Sequence, residues 1–525
     1  MTFWPDVCFC PSCRERYFRE TGKGFPHTVD WTSPEWVEFQ RKREEWLNDF
    51  AMMATNTVRE CQPDVTVEHQ SSTYIGDWCF GVNADLTEAG DFLQGDFYGD
   101  HIQGSIARKI FSTLSRHQPY GFETSFNVAL ADHTAKKDEA LLRCKVSACM
   151  ADNGAFIFID AVDPIGTLNS APYEIMDRVF AYSQPYEKYL GGTRVCDVAV
   201  YLATESKFPY DQPPVRLPHG FDKTNPHFNA ITMACTALIE NNIPYTVITR
   251  KNLHDMSRYK VLVLADVFAL SPEECTAIRT FVAQGGRLYA SRYASLLDTH
   301  GHLQPDFQLA DVFGVHYLGK TEEKFTYISP IQPDMPIFCG ATPKYPIGIQ
   351  TNQTRIAADA DAEILGTCTL PYTNPDLGIF ASIHSDPPGK YLPDPAMVSH
   401  PYGSGRCIYA AGALESCLTQ KAVFIQLIQN LIGEPLVISD APKPIEITLH
   451  KDENHRRYIA ALLNFQYQIP NVPVSGVSVD IAVPEPVRCV LQLPEEREIP
   501  FVYADGRVKF SVDSVQELAM LALCY

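Results

Sequence analysis

Short apolar runs alternate with helical segments along the first 165 residues, and this pattern limits the possible folds more than any other feature. Strand-like runs span residues 65–70, 91–99, 119–126 and 155–164. The segment 31–60 opens with Ser-Pro-Glu and has apolar residues near a 3.6 period, so it predicts an amphipathic helix. Strands that are joined through helices pair in parallel. The pattern therefore predicts consecutive βα units.

Each of the four strand-like runs carries a carboxylate near its end. These residues are Glu68, Asp96, Glu123 and Asp160. A (β/α)8 barrel has a packed interior, and its chemistry is confined to the loops that follow the strands. Carboxylates collected at strand ends therefore predict a partial (β/α)8 TIM barrel over residues 1–193 with a catalytic face. The alternative is that they are solvated acids at loop entries.

The strand and helix alternation begins again after residue 193. Runs at 195–203 and 259–267 alternate with helical segments, which predicts a doubly wound α/β domain over 194–438 with an irregular Pro-rich insertion. This part has no GxGxxG or Walker loop, so nothing indicates a nucleotide site. Short alternating strands without a helical segment then predict a C-terminal antiparallel β-sandwich over 439–525.

The charge and the apolar pattern narrow the possible partners. A net charge of -20 over 525 residues opposes binding to nucleic acid or to an anionic membrane. No signal-peptide pattern opens the chain, and no apolar run reaches the roughly 18 residues that span a bilayer. We therefore expect a cytoplasmic protein. Several cysteines lie singly in apolar stretches, as reduced core cysteines do: Cys144, Cys149, Cys196, Cys235, Cys339 and Cys407.

Three further cysteines lie close together near residue 1. Cys8, Cys10 and Cys13 have the C-x-C-x-x-C spacing, which suits three of the four ligands of a structural zinc. No fourth cysteine is near in sequence, because Cys61 and Cys79 follow only after a helix and a strand. The alternatives are a site that holds zinc partially and loop cysteines that bind nothing.

Several segments resemble known glycoside hydrolases. The stretch "CFCPSCRERYFRETG" resembles the segment after barrel strand four in family-42 β-galactosidases, and residues 195–433 resemble their glutamine-amidotransferase-like trimerisation domain. The stretches "VEHQSSTY", "GDFYGD", "FETSFNVALADHTAKK" and "AFIFIDAVDPIGTL" resemble family-151 α-L-fucosidases. The resemblance implies a retaining exo-glycosidase with a glycoside substrate, no cofactor for catalysis, and assembly as a homo-oligomer, a trimer or larger.

Two other functions stay open at this point. One is β-galactosidase or a related activity of the family-42 type. The other is a non-catalytic remnant that serves in oligomerisation or sugar binding. This second alternative arises because a (β/α)8 barrel has eight strands and only four follow the cysteines. We expect the chain to begin at the end of strand four, with that strand's carboxylate upstream of Met1.

The same resemblance directs the choice of catalytic groups. Glycoside hydrolysis by the usual route needs two carboxyl groups, one protonated and one ionised. Glu123 is the first choice for the acid because it follows Phe122, and apolar walls raise the pKa of a carboxyl group. Glu68 and Asp96 come next, although each is alternatively a ligand of sugar hydroxyls or a structural hydrogen-bond acceptor.

A wider set of residues is expected to bind the sugar. It consists of His69, Trp4, Trp78, Tyr98, His133, Lys136 and Asp160. Aromatic rings can stack on a sugar, and polar side chains can bond its hydroxyls. The tryptophans are alternatively ordinary core residues, and His133 and Lys136 alternatively form a helix entry capped by Asp132.

Overall fold

A computed structural model describes residues 7–96, 99–128, 132, 134–216, 224–382 and 384–525 of the chain. Its N-terminal part mixes helices with short strands. The elements are α1 (Pro11–Thr21), β1 (Thr28–Val29), α2 (Pro34–Cys61), β2 (Gln94–Asp96), α3 (His101–Leu114), β3 (Gly121–Ser125), α4 (Glu139–Ala151), β4 (Ala155–Ile159) and α5 (Ser170–Ser183). Turns of 3₁₀-helix lie at Ser72–Ile75, Trp78–Phe80, Ala84–Ala89 and Gln184–Tyr189.

Strands β2, β3 and β4 form a parallel sheet in that order, with helices α3 and α4 between them in the chain. This agrees with the predicted βα units. The prediction of a strand over residues 65–70 is wrong, because this segment contributes only a single parallel bridge, from Gln70 to Gln94. The backbone of Val67 is instead bonded to the loop residue Asp91. The Asp91 carboxylate accepts from the Val67 N–H at 2.7 Å, and the Asp91 N–H donates to the Val67 carbonyl oxygen at 2.8 Å.

The helix predicted over 31–60 is present as α2. Pro34 occupies its first turn and Glu35 lies near its positive end. Trp36 and Phe39 are buried as the apolar period predicts. Phe50 and Met53 share that apolar pattern but are 48% and 58% exposed. The second half of α2 therefore presents apolar side chains at the surface.

The middle part of the chain contains one large sheet and several strands that lie outside it. Its elements are β5 (Thr193–Arg194), β6 (Val198–Tyr201), β7 (Val215–Arg216), α6 (Pro226–Ile239), β8 (Tyr245–Ile248), β9 (Val261–Leu264), α7 (Pro272–Ala283), β10 (Arg287–Ser291), α8 (Ala310–Phe313), β11 (Val315–Lys320), β12 (Thr326–Pro330), β13 (Ile347–Ile349), β14 (Thr354–Ala358), β15 (Glu363–Pro371), β16 (Pro388–Tyr402), β17 (Gly405–Ala410) and α9 (Lys421–Ile432). Nine of these strands, within the described residues, run in the order β13-β12-β15-β16-β17-β10-β9-β6-β8. Short 3₁₀ turns lie at Thr204–Ser206, Arg250–Arg258, Pro336–Phe338, Pro375–Leu377, Leu414–Ser416 and Leu418–Gln420.

Half of this sheet is parallel, as its sequence pattern predicts. Strands β17, β10, β9, β6 and β8 are parallel neighbours with fully buried central residues. The expectation of an irregular Pro-rich insertion is wrong, because β12, β13, β15 and β16 extend the same sheet in antiparallel fashion. Repeated register shifts between β15 and β16 accommodate the prolines.

The C-terminal part consists of antiparallel strands. They are β18 (Val437–Ser439), β19 (Ile445–Asp452), β20 (Arg457–Asn464), β21 (Val474–Ala482), β22 (Cys489–Leu493), β23 (Arg497–Glu498), β24 (Phe501–Ala504), β25 (Arg507–Val515) and β26 (Leu518–Cys524). One sheet has the order β18-β21-β25-β24 and the other β23-β22-β26-β20-β19-β5. Strand β5 belongs to this second sheet although it precedes the large sheet in sequence. The boundaries at 193/194 and 438/439 stay predictions.

A buried network of charges joins these parts. Arg108 and Lys109 of α3, Asp152 after α4 and Glu446 of β19 are each at most 2% exposed. Asp152 accepts from Arg108 Nε at 2.8 Å and from Nη1 of Arg194 in β5 at 2.7 Å. Lys109 donates to Glu446. Three cations therefore face two carboxylates, and the opposite charges of α3, β5 and β19 hold these elements together.

The described residues contain no helix that is both long and apolar enough to cross a membrane. All sixteen cysteines are free. Five of the six predicted core cysteines are buried, whereas Cys339 is exposed because it follows a short surface turn, Pro336–Phe338.

Candidate functional site

Three of the predicted carboxylates lie near one another at the parallel sheet. Asp96 is the last residue of β2, and the parallel register places it opposite Glu123 of β3. Glu68 lies just before the bridge from Gln70 to β2. Its charge raises the pKa of Glu123, as does the charge of Asp96. The sheet therefore brings together the three carboxylates that the sequence singled out for catalysis.

Glu123 is buried, with 8% of its surface exposed. Burial is the main cause that raises the pKa of Glu123 to about 7, and a hydrogen bond with Asp96 adds to the rise. The Gln94 side-chain amide donates to Glu123 and opposes that rise. Glu123 is therefore a carboxyl group that holds its proton up to neutral pH.

Phe122 does not supply the apolar wall expected for Glu123. Successive side chains of a strand point to opposite faces, and the guanidinium of Arg108 in α3 lies 5.6 Å from the centre of the Phe122 ring. Glu123 instead shares a face with Gly121, where a Cβ atom would come within 2.6 Å of the Gln94 side chain. The raised pKa of Glu123 comes from its burial and from Asp96.

The carboxyl group of Glu68 is the second one in this site with a shifted pKa. Burial raises its pKa to about 7, and the charge of Asp96 contributes to the rise. Its Oε1 atom is buried and has no hydrogen-bond partner among the described residues. A carboxylate left without a partner away from water is costly, so a protonated form or a bound hydroxyl group would satisfy it.

The structure places the predicted sugar-binding residues unevenly. His69 is buried, and its Nε2 lies 2.8 Å from the hydroxyl of Thr55 in α2. Trp78 is 3% exposed and packs edge-on against Trp31 and Trp36. Both positions favour a structural role over a sugar contact.

Of the other predicted sugar-binding residues, Asp160 and Lys136 lie within the described part of the chain. Asp160 directly follows β4, where its Oδ1 accepts from the Ala161 N–H at 2.8 Å. Lys136 is half-buried and pairs through its backbone with Asn127. The remaining predicted residues lie outside the described residues: Trp4, Tyr98 and His133. Asp132 accepts from the N–H groups of Thr134 and Ala135, but these lie in a turn ahead of α4, whose N-cap is Asp138, so the alternative of a helix entry capped by Asp132 is wrong.

Two residues near the carboxylates were missed from the sequence. Gln94 reaches Glu123, as described above. Lys137 is 8% exposed and donates to the carbonyl oxygens of Ser125 and Asn127, so it closes the end of β3. Burial lowers the pKa of Lys137 to about 8. The only available signal was the pair Lys136 and Lys137, and alternation along the chain does not tell which of two adjacent lysines turns inward.

A cavity of about 770 Å³ lies away from these carboxylates. Its walls include Phe156, Leu190, Arg194 and Tyr259, and none of Glu68, Asp96 and Glu123 lines it. The candidate active site is therefore assigned from the chemistry of the carboxyl groups and not from the size of a cavity.

The three clustered cysteines meet at the start of α1. The Sγ atoms of Cys8, Cys10 and Cys13 all lie within 4.8 Å of one another. The backbone N–H of Cys13 is the main cause that lowers the pKa of the Cys10 thiol to about 7. Zinc binds thiolates, so the three donor atoms fit the expected metal, whereas burial and the two neighbouring thiols raise the pKa of Cys13 to about 12. Cys61 and Cys79 are not part of this group.

We propose that these three cysteines hold a structural zinc ion, and we expect the purified protein to contain about one zinc per chain. A Cys10→Ser variant should lose most of that zinc, as measured by inductively coupled plasma mass spectrometry. Cys339→Ser is the matched control, because Cys339 is exposed and outside the cluster. Equal zinc contents in the wild type and in Cys10→Ser would contradict the assignment.

Comparison with known proteins gives one match in sequence and several in structure. No family model matches the chain. The β-galactosidase BbgII of Bifidobacterium bifidum is 29% identical over 177 residues, which make up 33% of this chain and 22% of that protein. The matched region therefore spans only about a fifth of that curated relative.

The structural matches extend over the described fold. An α-L-fucosidase, isoenzyme 2 from Paenibacillus thiaminolyticus, has a TM-score of 0.76 at 19% identity, covering 100% of this chain and 76% of that one. A β-galactosidase from Bacillus circulans sp. alkalophilus has a TM-score of 0.72 at 14% identity, covering 99% and 77%. A catalytic mutant of Gan42B, a GH42 β-galactosidase from G. stearothermophilus, reaches 0.70 at 16% identity, covering 98% and 76%. The chain thus resembles, in its fold, solved structures of an α-L-fucosidase and of β-galactosidases that include a GH42 enzyme.

Proposed function

We propose that this protein is a glycoside hydrolase whose active site is built around Glu123. The observation that carries the proposal is the group of Glu68, Asp96 and Glu123, in which two carboxyl groups have a pKa of about 7. Glycoside hydrolysis requires a protonated carboxyl group beside an ionised one. The similarity in fold to solved glycosidases supports the same reaction class.

In the proposed mechanism, Glu123 gives its proton to the oxygen of the leaving group. The hydrogen bond with Asp96 raises the pKa of Glu123 and so favours the protonated form that the proposed role needs. Glu68 is the candidate for the carboxylate that attacks the anomeric carbon, because Asp96 is hydrogen-bonded to Glu123 and is too close to it for that role. Gln94 orients Glu123 through its donated hydrogen bond. We propose the retaining route, in which the two reacting carboxyl groups stand about 5–5.5 Å apart during catalysis.

We propose terminal α-L-fucosides as the substrate class, as the sequence resemblance implies. The fold match that covers the whole chain with the α-L-fucosidase supports this choice. β-Galactosides are the second candidate, because the curated relative with local sequence identity is a β-galactosidase. We also propose that residues 194–438 assemble the chain into a homo-oligomer, a trimer or larger. A cytoplasmic location stays a prediction.

The substrate is tested with a panel of 4-nitrophenyl glycosides. We expect the α-L-fucoside to be hydrolysed and proton NMR of the first product to show retention of the anomeric configuration. Hydrolysis of the β-galactoside alone would overturn the fucoside proposal and favour the second candidate. Binding of sugars without turnover of any member of the panel would contradict the enzyme proposal and favour the non-catalytic alternative.

A further inference from the structure

Two aspartates and a histidine meet in the middle part of the chain, away from the carboxylate site. Asp359 and Asp361 follow β14, and His400 lies in β16. One ligand atom from each of the three side chains lies within 4.8 Å of the other two. Atoms that bind one transition-metal ion at bond lengths of about 2.1 Å stand roughly 3–4 Å apart. Only a small closure of this group would be needed to hold an ion.

His400 is oriented as a metal-binding histidine would be. The residue is 5% exposed, and its Nδ1 lies 3.1 Å from the carbonyl oxygen of Val312. A carbonyl oxygen only accepts, so Nδ1 carries the hydrogen. In the neutral imidazole this bond leaves the lone pair on Nε2. Nε2 makes no hydrogen bond to a described residue and lies 3.5 Å from Oδ1 of Asp361.

The backbone leaves space for this ring. Gly314 has a φ of +68°, and a Cβ atom at that position would lie 2.4 Å from the His400 ring. A side chain at residue 314 would therefore displace the imidazole. The His400 ring fits against the turn at the end of α8 only because that turn carries glycine.

The two carboxylates differ in their contacts and exposure. Oδ1 of Asp359 lies 3.1 Å from Nε2 of His316, whose Nδ1 is 2.6 Å from Asp306. That chain of contacts holds Asp359 and leaves its second oxygen for an ion. The Asp361 side chain is 74% exposed, so it can turn toward His400 without disturbing the core.

We propose that Asp359, Asp361 and His400 bind a divalent transition-metal ion such as Mn²⁺. Two carboxylates neutralise the charge of the ion, and the imidazole nitrogen favours transition metals over Mg²⁺ and Ca²⁺, which prefer oxygen ligands. Water would complete the coordination. The ion would link the turn after β14 to β16. This site is separate from the cysteine cluster in position and in ligand chemistry, and it does not depend on the proposed glycosidase activity.

The test is a titration of the full chain with Mn²⁺, in which electron paramagnetic resonance reports the free aqueous ion. Mn²⁺ suits carboxylate and imidazole ligands and not thiolates, so it distinguishes this site from Cys8, Cys10 and Cys13. We expect binding at one site per chain and a higher melting temperature with the metal. His400→Gln and Asp361→Asn should each weaken binding at least about tenfold.

Three comparisons decide the proposal. His455→Gln is the matched control, because His455 also lies beside an aspartate, 2.7 Å from Asp452, and should leave binding unchanged. Asp361→Asn keeps the test valid if His400→Gln does not fold, because Asp361 is exposed and its replacement should not disturb the core. The proposal would be overturned by unchanged Mn²⁺ binding in both variants, by equal affinity for Mg²⁺, or by loss of Mn²⁺ binding in Cys10→Ser.

Discussion

Replacement of Glu123 by glutamine is expected to slow glycoside hydrolysis by about 10²–10⁴-fold, the usual contribution of a general acid. Glutamine keeps the size of the side chain and still accepts the hydrogen bond from Gln94. It carries no proton that could be given to the leaving oxygen. The measurement is kcat on the aryl glycoside that the wild type hydrolyses best, together with circular dichroism of the variant.

The pH dependence of the same reaction gives a second readout. Glu123 acts in its protonated form, so activity should fall about tenfold per pH unit above its pKa of about 7. Asp96 raises that pKa through its hydrogen bond and its charge. An Asp96→Asn variant should therefore lower the pKa of Glu123 and move the alkaline limb of the profile to lower pH.

The control for these variants is Glu174→Gln, since Glu174 is an exposed residue of α5. Its activity and pH profile should match the wild type. Normal turnover by Glu123→Gln, with a folded protein, would show that Glu123 is not the acid. An alkaline limb that does not move in Asp96→Asn would argue that Asp96 does not set the pKa of Glu123.

Replacement of Asp152 by asparagine should lower the free energy of unfolding by about 3–5 kcal/mol. Asp152 is 1% exposed and lies between Arg108, Lys109 and Arg194. These cations lower its pKa far below the ordinary value of an aspartate. The asparagine would leave three buried cations with the single carboxylate of Glu446. Urea unfolding, followed by tryptophan fluorescence, measures the loss.

Asp513→Asn is the matched control for this prediction. Asp513 is 85% exposed and lies 3.7 Å from Arg497, so its removal should change stability by less than about 0.5 kcal/mol. If Asp152→Asn does not fold, the double variant Asp152→Asn with Arg194→Met tests the same cause, because it removes one excess cation and should recover part of the loss. A loss below about 1 kcal/mol in Asp152→Asn would contradict the role of the network.

Regular elements with a strong apolar period could be predicted from the sequence. Helix α2 and strands β3 and β4 are near their predicted positions, because each buries a face that the pattern reveals. Residues 65–70 have the same residue types as a strand, but the Asp91 carboxylate takes the Val67 N–H and only Gln70 pairs. A side-chain contact across 24 residues has no signature in a local pattern. The long strands β15 and β16 were missed because their prolines and bulges imitate a loop.

The candidate site could be predicted in part for similar reasons. The carboxylates at the sheet were found because strand ends are visible in the pattern. His69 and Trp78 lie close to Glu68 in sequence, but each contacts a residue of α2: Thr55 for His69 and Trp36 for Trp78. A sequence does not show which tryptophan packs against a helix. Gln94 was overlooked because its amide becomes relevant only when the parallel register sets it beside β3.

Strand β5 has a consequence for how the protein can be divided. Thr193 and Arg194 form the outer strand of the second C-terminal sheet, 258 and 256 positions before their respective partners Lys451 and His450. A fragment that starts at residue 439 would expose the edge of β19 and leave the buried carboxylate of Glu446 without its partners Arg108 and Lys109. The C-terminal part is therefore not an interchangeable module, and grafting it onto another protein would require residues 193–194 to travel with it.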